Sequence, residues 1–561
     1  MSFPDIQFLT QELVDKHTSH IKQGKYSPKP LVAQKSPISG SLDPYTGSWD
    51  YAQASHLLRR TMSGYTKSHV DWVLENGMQA TIDTLLADTP SPAPPINYYF
   101  PDDPYCPIGE TWIDKPTTEE VRNHRLRSLY GWTMGILLEE GMSIRERMTL
   151  FWHNHFVTAD IFQPLIMYQY ITLLRSYATG NFRELAKAVT LNPAMLIYLN
   201  GNQNTKNAPN ENYARELLEL FTIGKGELAG PGDYTTFTED DVREIARVLT
   251  GWRTRYEFET GEMPYSFFNN NLHDTEAKQL SHRFNNILIQ NHGDQEYTDL
   301  IDIIFQHPEA SRHLCRKLYR WFVYYVIDDQ IELSIIEPLA QILRDNDFNI
   351  KPVLETLLSS EHFYDVNSIG CIIKNPIEFL VAHTKQFEVK MPVNLLQRYQ
   401  VWVGLFRTTE LLQMVYYSPP SVAGWKAFYQ EPTFNELWIN AVTLVIRQLY
   451  TDVMAMIGFE SVGDSRFIID ALAFAAKMDN EENPNALIQG VASVLYPVAL
   501  TQDQIDAFKE VLIPGLPDFE WTVEYQAYLA DPTNNDVRLP VEAKLRALIR
   551  AMQARPEYHL V

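Results

Sequence analysis

The sequence predicts a mainly α-helical protein, a large multi-helix body of packed helical hairpins with few or no strands. Three observations predict it. Apolar residues recur at three- and four-residue intervals through most of the chain, and the periodic stretches close at Gly, Pro or turn residues. Strand-like alternation is hard to find, and no apolar run approaches the roughly 18 residues of a membrane-crossing helix.

Taken in order, residues 1–50 mix Pro, Ser, Gly and Lys and read as an extended N-terminal arm. Residues 51–118 hold a helical hairpin followed by the connector DTPSPAPPINYYFPDDPYCPIGE, where Pro is too dense for a helix interior. Residues 119–290 form a central helical domain with segments such as EVRNHRLRSLYGWTMGILLEEG and SIRERMTLFWHNHF. In TEDDVREIARVLTGW, Thr238 is placed to cap a helix, the acids Glu239, Asp240 and Asp241 suit its positive end, and Gly251 marks its stop. Residues 291–450 read as helical layers and 451–561 as a C-terminal helical region. An apolar helix followed by a Pro or Ser turn recurs in LAKAVTLNPAMLIYL, LIDIIFQHPEASRHL, VLETLLSSEHFYD and LRALIRAMQARPEYHL, hinting at layered helix pairs. The irregular spacing of these copies favours ordinary helix stops near Pro over a true solenoid.

Composition narrows the function classes. At 561 residues with 45% hydrophobic and 12% aromatic content, the chain has ample material for a folded core. Its 47 Lys and Arg against 70 Asp and Glu give a net charge of −23, which repels phosphate backbones and argues against a nucleic-acid partner. Cys106, Cys315 and Cys371 lie far apart without CxxC spacing, so neither a disulfide framework nor a thiolate zinc site is indicated. The N-terminus lacks a basic start followed by an apolar stretch, so the chain as given reads as soluble and cytoplasmic, or as exported if it is a processed or trimmed form.

Four segments concentrate chemistry. In Phe151-Trp152-His153-Asn154-His155-Phe156 two imidazoles sit among large aromatics. Residues two apart on a helix point about 200° apart, so both can face one ion only where the helix ends. Glu146, seven residues earlier, shares a face with His153; the ordinary alternative is a pair of buried structural histidines. In LNGNQNTKNAPNENYARELLELFTIG, Asn210 is placed to cap a helix whose apolar face carries Ala214, Leu217, Leu218 and Phe221. Glu211, Arg215 and Glu219 read either as a surface salt-bridge ladder or, with Glu216 and the loop amides, as an oxygen-rich calcium or magnesium site. His273-Asp274 supplies the raw material of a general base, and Ser418 to Trp425 a rigid loop in which Gly424 passes beneath an indole. GxSxG, P-loop, GxGxxG, HExxH and kinase signatures are missing.

Taken in order, HLLRR at 56–60, FWHNHF at 151–156, PNENYARELLELFTIG at 209–224, TEDDVREIARVLTGW at 238–252, His273-Asp274 and PPSVAGW at 419–425 resemble the bacterial family catalogued as domain of unknown function 1800. The resemblance implies no settled activity. It implies frequent export, and a protein partner from a neighbouring sulfatase-like or phosphatase-like family. Two departures stand out: Glu276 and Gln279-Leu280-Ser281 replace the Gly and Leu-Gly of the family pattern, and Asn200 replaces an Asp, removing one charged ligand.

Two readings follow. In the first, His153, His155, Asn210, Glu211 and Glu216 surround a divalent metal ion. His153, His155, Glu211, Arg215 and Glu216, joined by His273 and Asp274, then carry hydrolase or oxidase chemistry, with Arg215 holding an anionic substrate. In the second, the same motifs are buried networks of a non-catalytic binding or assembly protein that docks a neighbouring protein.

Overall fold

A computed structural model describes residues 38–463 and 465–561. Most of the arm expected over residues 1–50 lies outside them. Its described end is held by the chain after helix Lys351–Leu358, with Tyr45 N–H donating to Ser359 O at 2.8 Å and Glu361 N–H to Asp43 O at 2.9 Å.

The architecture is helical throughout. Helices α1 (Tyr51–Thr61) and α2 (Lys67–Leu85) pack on each other as the first hairpin. Asp50 caps α1, and Thr66 forms a reciprocal capping box with His69 at the start of α2. The Pro-rich connector is folded tightly: Asn97 Nδ2 donates to Phe100 O and Cys106 O at 2.7 Å, and the fully buried Trp112 donates to Ser128 at 3.0 Å.

Helix α3 (Glu119–Glu139) lies against α9 (Leu395–Leu411). Gly131 and Gly135 permit that approach: a Cβ on Gly135 would sit 2.6 Å from the Trp402 ring, and one on Gly131 2.9 Å from Val403. Helix α4 (Arg145–His155) packs on α5 (Pro164–Ser176) and carries the FWHNHF block. Further on come α6 (Glu211–Glu216), which runs into a π turn at Leu217–Thr222, then α7 (Glu239–Val248) and α8 (Pro308–Phe322). Thr238 and Asp241 form the capping box of α7, so the cap at Thr238 stands as the sequence implies.

Strands occur only as short antiparallel pairs among the described residues, the longest joining Trp252–Arg255 to Tyr265–Phe268. They are local hairpins between helices and build no layer of their own. A continuous apolar core runs from Ile38 to Tyr558 and contains most of the large aromatic side chains. No described helix is long and apolar enough to cross a membrane.

The α3–α9 contact is testable. Gly135→Ala gains about 1 kcal/mol of helix propensity but drives a methyl into Trp402, so a net loss of roughly 1–2 kcal/mol is expected in urea unfolding. Gly141→Ala, which meets nothing within 4 Å, should stay within about 0.5 kcal/mol of the parent.

Candidate functional site

The end of α4 presents three consecutive polar side chains to two segments, the 416–425 loop and the π turn after α6. His153 Nε2 bonds the Tyr416 carbonyl, with its ring stacked on Tyr416 at 5.3 Å, and burial pushes its pKa down to about 4. Asn154 Oδ1 accepts from the Trp425 N–H at 3.0 Å. Gly424, at φ +95°, brings the backbone so close to Asn154 that no side chain fits there. His155 points the other way, its Nε2 lying 3.0 Å from Phe221 O in the π turn after α6. The two imidazoles diverge as helical geometry requires.

The tautomer of His155 follows from its partners. A carbonyl can only accept, so Nε2 carries the proton and Nδ1 the lone pair. Lys317 Nζ, on α8, stands 3.1 Å from that Nδ1 and donates to it, and also donates to Leu220 O at 2.8 Å. His313, one turn earlier on α8, donates through Nε2 to the same Leu220 carbonyl at 3.3 Å, with its ring 6.5 Å from that of His155. The π turn turns the Leu220 carbonyl towards α8 and the Phe221 carbonyl towards α4, at a helix end whose partial charge favours cations.

Three basic groups thus crowd two carbonyls. Burial, then the neighbouring Arg320, lowers Lys317 to about 7. Burial and the Lys317 charge hold His155 and His313 well below the ordinary imidazole range. Above them opens a polar cleft of about 590 Å³, lined by Glu219, Lys225, Thr236, His307, Arg312 and His313 among others. Ion pairs fix its walls: Lys225 with Glu219 at 3.2 Å, Arg312 with Glu309 at 3.2 Å and Arg316 with Glu309 at 2.7 Å. Gly224, at φ +74°, edges the cleft, and a Cβ there would lie 2.9 Å from His313 Nδ1.

The other sequence-derived candidates are dispersed. Asn210 caps α6 through Asn212 N at 3.0 Å and donates to Leu199 O at 2.8 Å. Glu211 is exposed, and Glu216 is half-buried with its pKa raised by burial and by Glu219. Neither carboxylate bonds either imidazole. Arg215 forks onto Glu239 at 2.8 and 2.6 Å. His273 is fully enclosed, with Nε2 at 2.9 Å from Glu296, whose second oxygen takes Lys278 Nζ at 2.6 Å. Asp274 pairs with Arg247 at 2.7 Å. Glu146 turns from His153 to grip Arg175 at 2.7 and 2.9 Å.

The ion cage expected around His153, His155, Asn210, Glu211 and Glu216 is therefore not assembled by this fold. Among the described residues no three His, Cys, Asp or Glu side chains gather as a metal ion requires.

A second perturbed acid, Glu140, lines a 240 Å³ pocket beside Glu146. Burial, then the Glu146 charge, raises it to about 8. Its Oε1 accepts the Glu146 N–H at 3.0 Å, which secures the start of α4.

Residues 56–559 match the family described as protein of unknown function, DUF1800. The chain belongs to that family. No curated protein and no solved structure matches it. In this DUF1800 chain the FWHNHF and PNENYARELLELFTIG blocks do meet, through the His155–Phe221 contact and not through the carboxylates of α6. Sequence reasoning missed His313 and Lys317, although their four-residue spacing beside the apolar stripe Ala310, Leu314 and Leu318 was available in HPEASRHLCRKLYRWF.

Lys317 makes stability depend on pH with a definite sign. Between about 7 and roughly 10.4 the unfolded chain holds the lysine proton while the folded chain does not, so stability rises with pH across that window. Urea unfolding at several pH values should show wild type gaining on Lys317→Met from pH 7 to 10. A pH-independent difference would contradict the buried amine.

Proposed function

We propose that this DUF1800 protein is an enzyme of the hydrolase type, acting on a polar small molecule seated in the 590 Å³ cleft with His313 as general base. The observation that carries this reading is the His313 ring itself. Its Nε2–H is engaged by Leu220 O, which leaves Nδ1 with a lone pair at the edge of the cleft, next to Gly224 where no side chain intrudes. A water or substrate hydroxyl placed there would give its proton to Nδ1.

Lys317 acts behind it as a positioning residue. Protonated, it depresses His313; neutral, it relieves that repulsion, so the base strengthens as pH rises through about 7. His155 orients Lys317 through Nδ1, and Arg312 and Arg316, each ion-paired with Glu309, give the wall a mixed-charge lining that suits a polar substrate.

The second reading, polar motifs as packing networks, is favoured for the remaining blocks by a separate observation. The His273–Glu296–Lys278 triad is saturated from within and fully enclosed, and His153 with Asn154 is spent on the 416–425 loop. These groups serve assembly of the cleft's surroundings.

A panel of chromogenic carboxyl esters, phosphoesters, sulfate esters and peptide amides tests the proposal. Turnover of one class is expected, falling by roughly 10²–10⁴-fold in His313→Gln. Lys317→Met should shift the pH profile while leaving turnover measurable. No turnover of any class, or turnover undiminished in a folded His313→Gln, would overturn it.

A further inference from the structure

Helix Asp518–Ala530, with the sequence DFEWTVEYQAYLA, is apolar on both of its long faces. Its inner face is covered. Trp521 and Tyr525 are fully buried where the helix rests on helices Pro484–Leu495 and Asn535–Gln553, and Trp521 Nε1 donates to Glu481 O at 2.9 Å. The outer face has no such cover. Phe519 and Val523 are each 60% exposed, Leu516 just before the helix is 48% exposed, and the exposed Ala527 continues the row. Positions 516, 519, 523 and 527 recur every three or four residues, so these side chains form one stripe on the side of the helix away from Trp521 and Tyr525. A helix that is apolar all round belongs in an interior, yet half of this one faces solvent. Single exposed apolar residues are ordinary, whereas a contiguous row rimmed by polar groups marks an interaction site.

The rim of the stripe is acidic. Glu520 and Glu524 follow it along one side, and Glu482 meets it on the other through Gln526, whose Nε2 donates to Glu482 Oε2 at 2.6 Å. Glu524 is taken by Lys544 and Asp518 by Lys509, but among the described residues Glu481, Glu482 and Glu520 have no basic partner. The wider segment shows the same excess: residues 479–536 hold eleven Asp and Glu, with Lys509 as their one basic residue. A tenth of the chain thus carries nearly half of its net charge of −23, and it is the part that carries the apolar stripe.

We infer that this stripe is a docking surface for a basic amphipathic helix of another protein. The partner's apolar row packs along Leu516, Phe519, Val523 and Ala527, ridge into groove, and its Lys and Arg side chains reach Glu482 and Glu520. Charge selects this occupant. Long basic side chains lay their apolar stems on the stripe and carry their charges to the acidic rim. A second copy of this chain, packed stripe to stripe, brings its own carboxylates against the same rim, and an anionic membrane surface is repelled for the same reason.

Fluorescence anisotropy on the full chain tests the inference, with a labelled peptide about 15 residues long, built of Leu and Lys at amphipathic helical spacing, as the probe. A peptide of the same composition in scrambled order is the control, and the patterned peptide should bind roughly 10-fold more tightly. The double variant Phe519→Ser, Val523→Ser alters exposed side chains, is expected to fold, and should weaken binding by about 10-fold or more. Glu482→Lys with Glu520→Lys should weaken it by a similar factor at low salt and flatten its salt dependence. No binding, equal binding of the two peptides, or binding unchanged in either double variant would overturn the inference. A concentration-dependent dimer in sedimentation velocity that is lost in Phe519→Ser, Val523→Ser would overturn it too, giving the stripe to a second copy. None of these readouts depends on turnover at His313.

Discussion

Everything around the candidate site depends on how the last turn of α4 disposes of its polar side chains. His153, Asn154 and His155 are surrounded by Phe151, Trp152, Phe156, Phe182 and Trp425, where an unsatisfied donor or acceptor costs on the order of 1–3 kcal/mol. His153 Nε2, Asn154 Oδ1 and His155 Nε2 find partners on two segments: Tyr416 O and the Trp425 N–H on one loop, and Phe221 O on the π turn. Three adjacent residues thereby tie the 416–425 loop and the π turn to one helix end. The π turn in turn offers Leu220 O to Lys317 and His313, so the placement of both bases against α6 descends from the His155 contact.

Charge is distributed in a way the net value conceals. The chain carries −23 overall, yet its deepest ionic groups are mainly cations. Arginine suits that role because its guanidinium is weakly hydrated, keeps its proton and spreads several N–H donors over a plane that can meet carbonyls on one side and a ring on the other. Arg175 shows the fully balanced version, forked on Glu146 and lying over Trp132 at 5.0 Å. Arg59 shows another arrangement, held by the Val494 and Tyr496 carbonyls at a helix end instead of by a carboxylate. Lysine under the same conditions yields its proton, and at Lys317 that loss is brought to neutral pH.

Local rules explain which parts were legible. Thr238 and Asn210 cap helices because capping uses groups within three residues of one another, and the fourfold pairing of helix and turn is written in local periodicity. The divergence of His153 from His155 was equally legible, since it needs only helical pitch. What pitch cannot say is which carbonyl or amine waits on either side. Glu146 shares the face of His153, yet Arg175 from α5 offers it a charge-assisted fork that a neutral, buried imidazole cannot match. Glu211 and Glu216 lay beside many amide oxygens in sequence, but Asn210 is spent on the cap and on Leu199 O.

The sequence by itself determined the helical class, the helix starts, the family and the blocks in which polar groups gather, because these rest on periodicity, capping and identity in order along one chain. Only the tertiary structure decided that His155 belongs with Lys317 and His313 instead of Glu211 and Glu216, and that Arg59 meets Lys374 at a shared cavity. Those pairings join residues 162 and 315 positions apart respectively, and they arise from helix ends and loops brought together by a common core. Desolvation then sets the protonation of what meets there, and desolvation is a property of the packed whole.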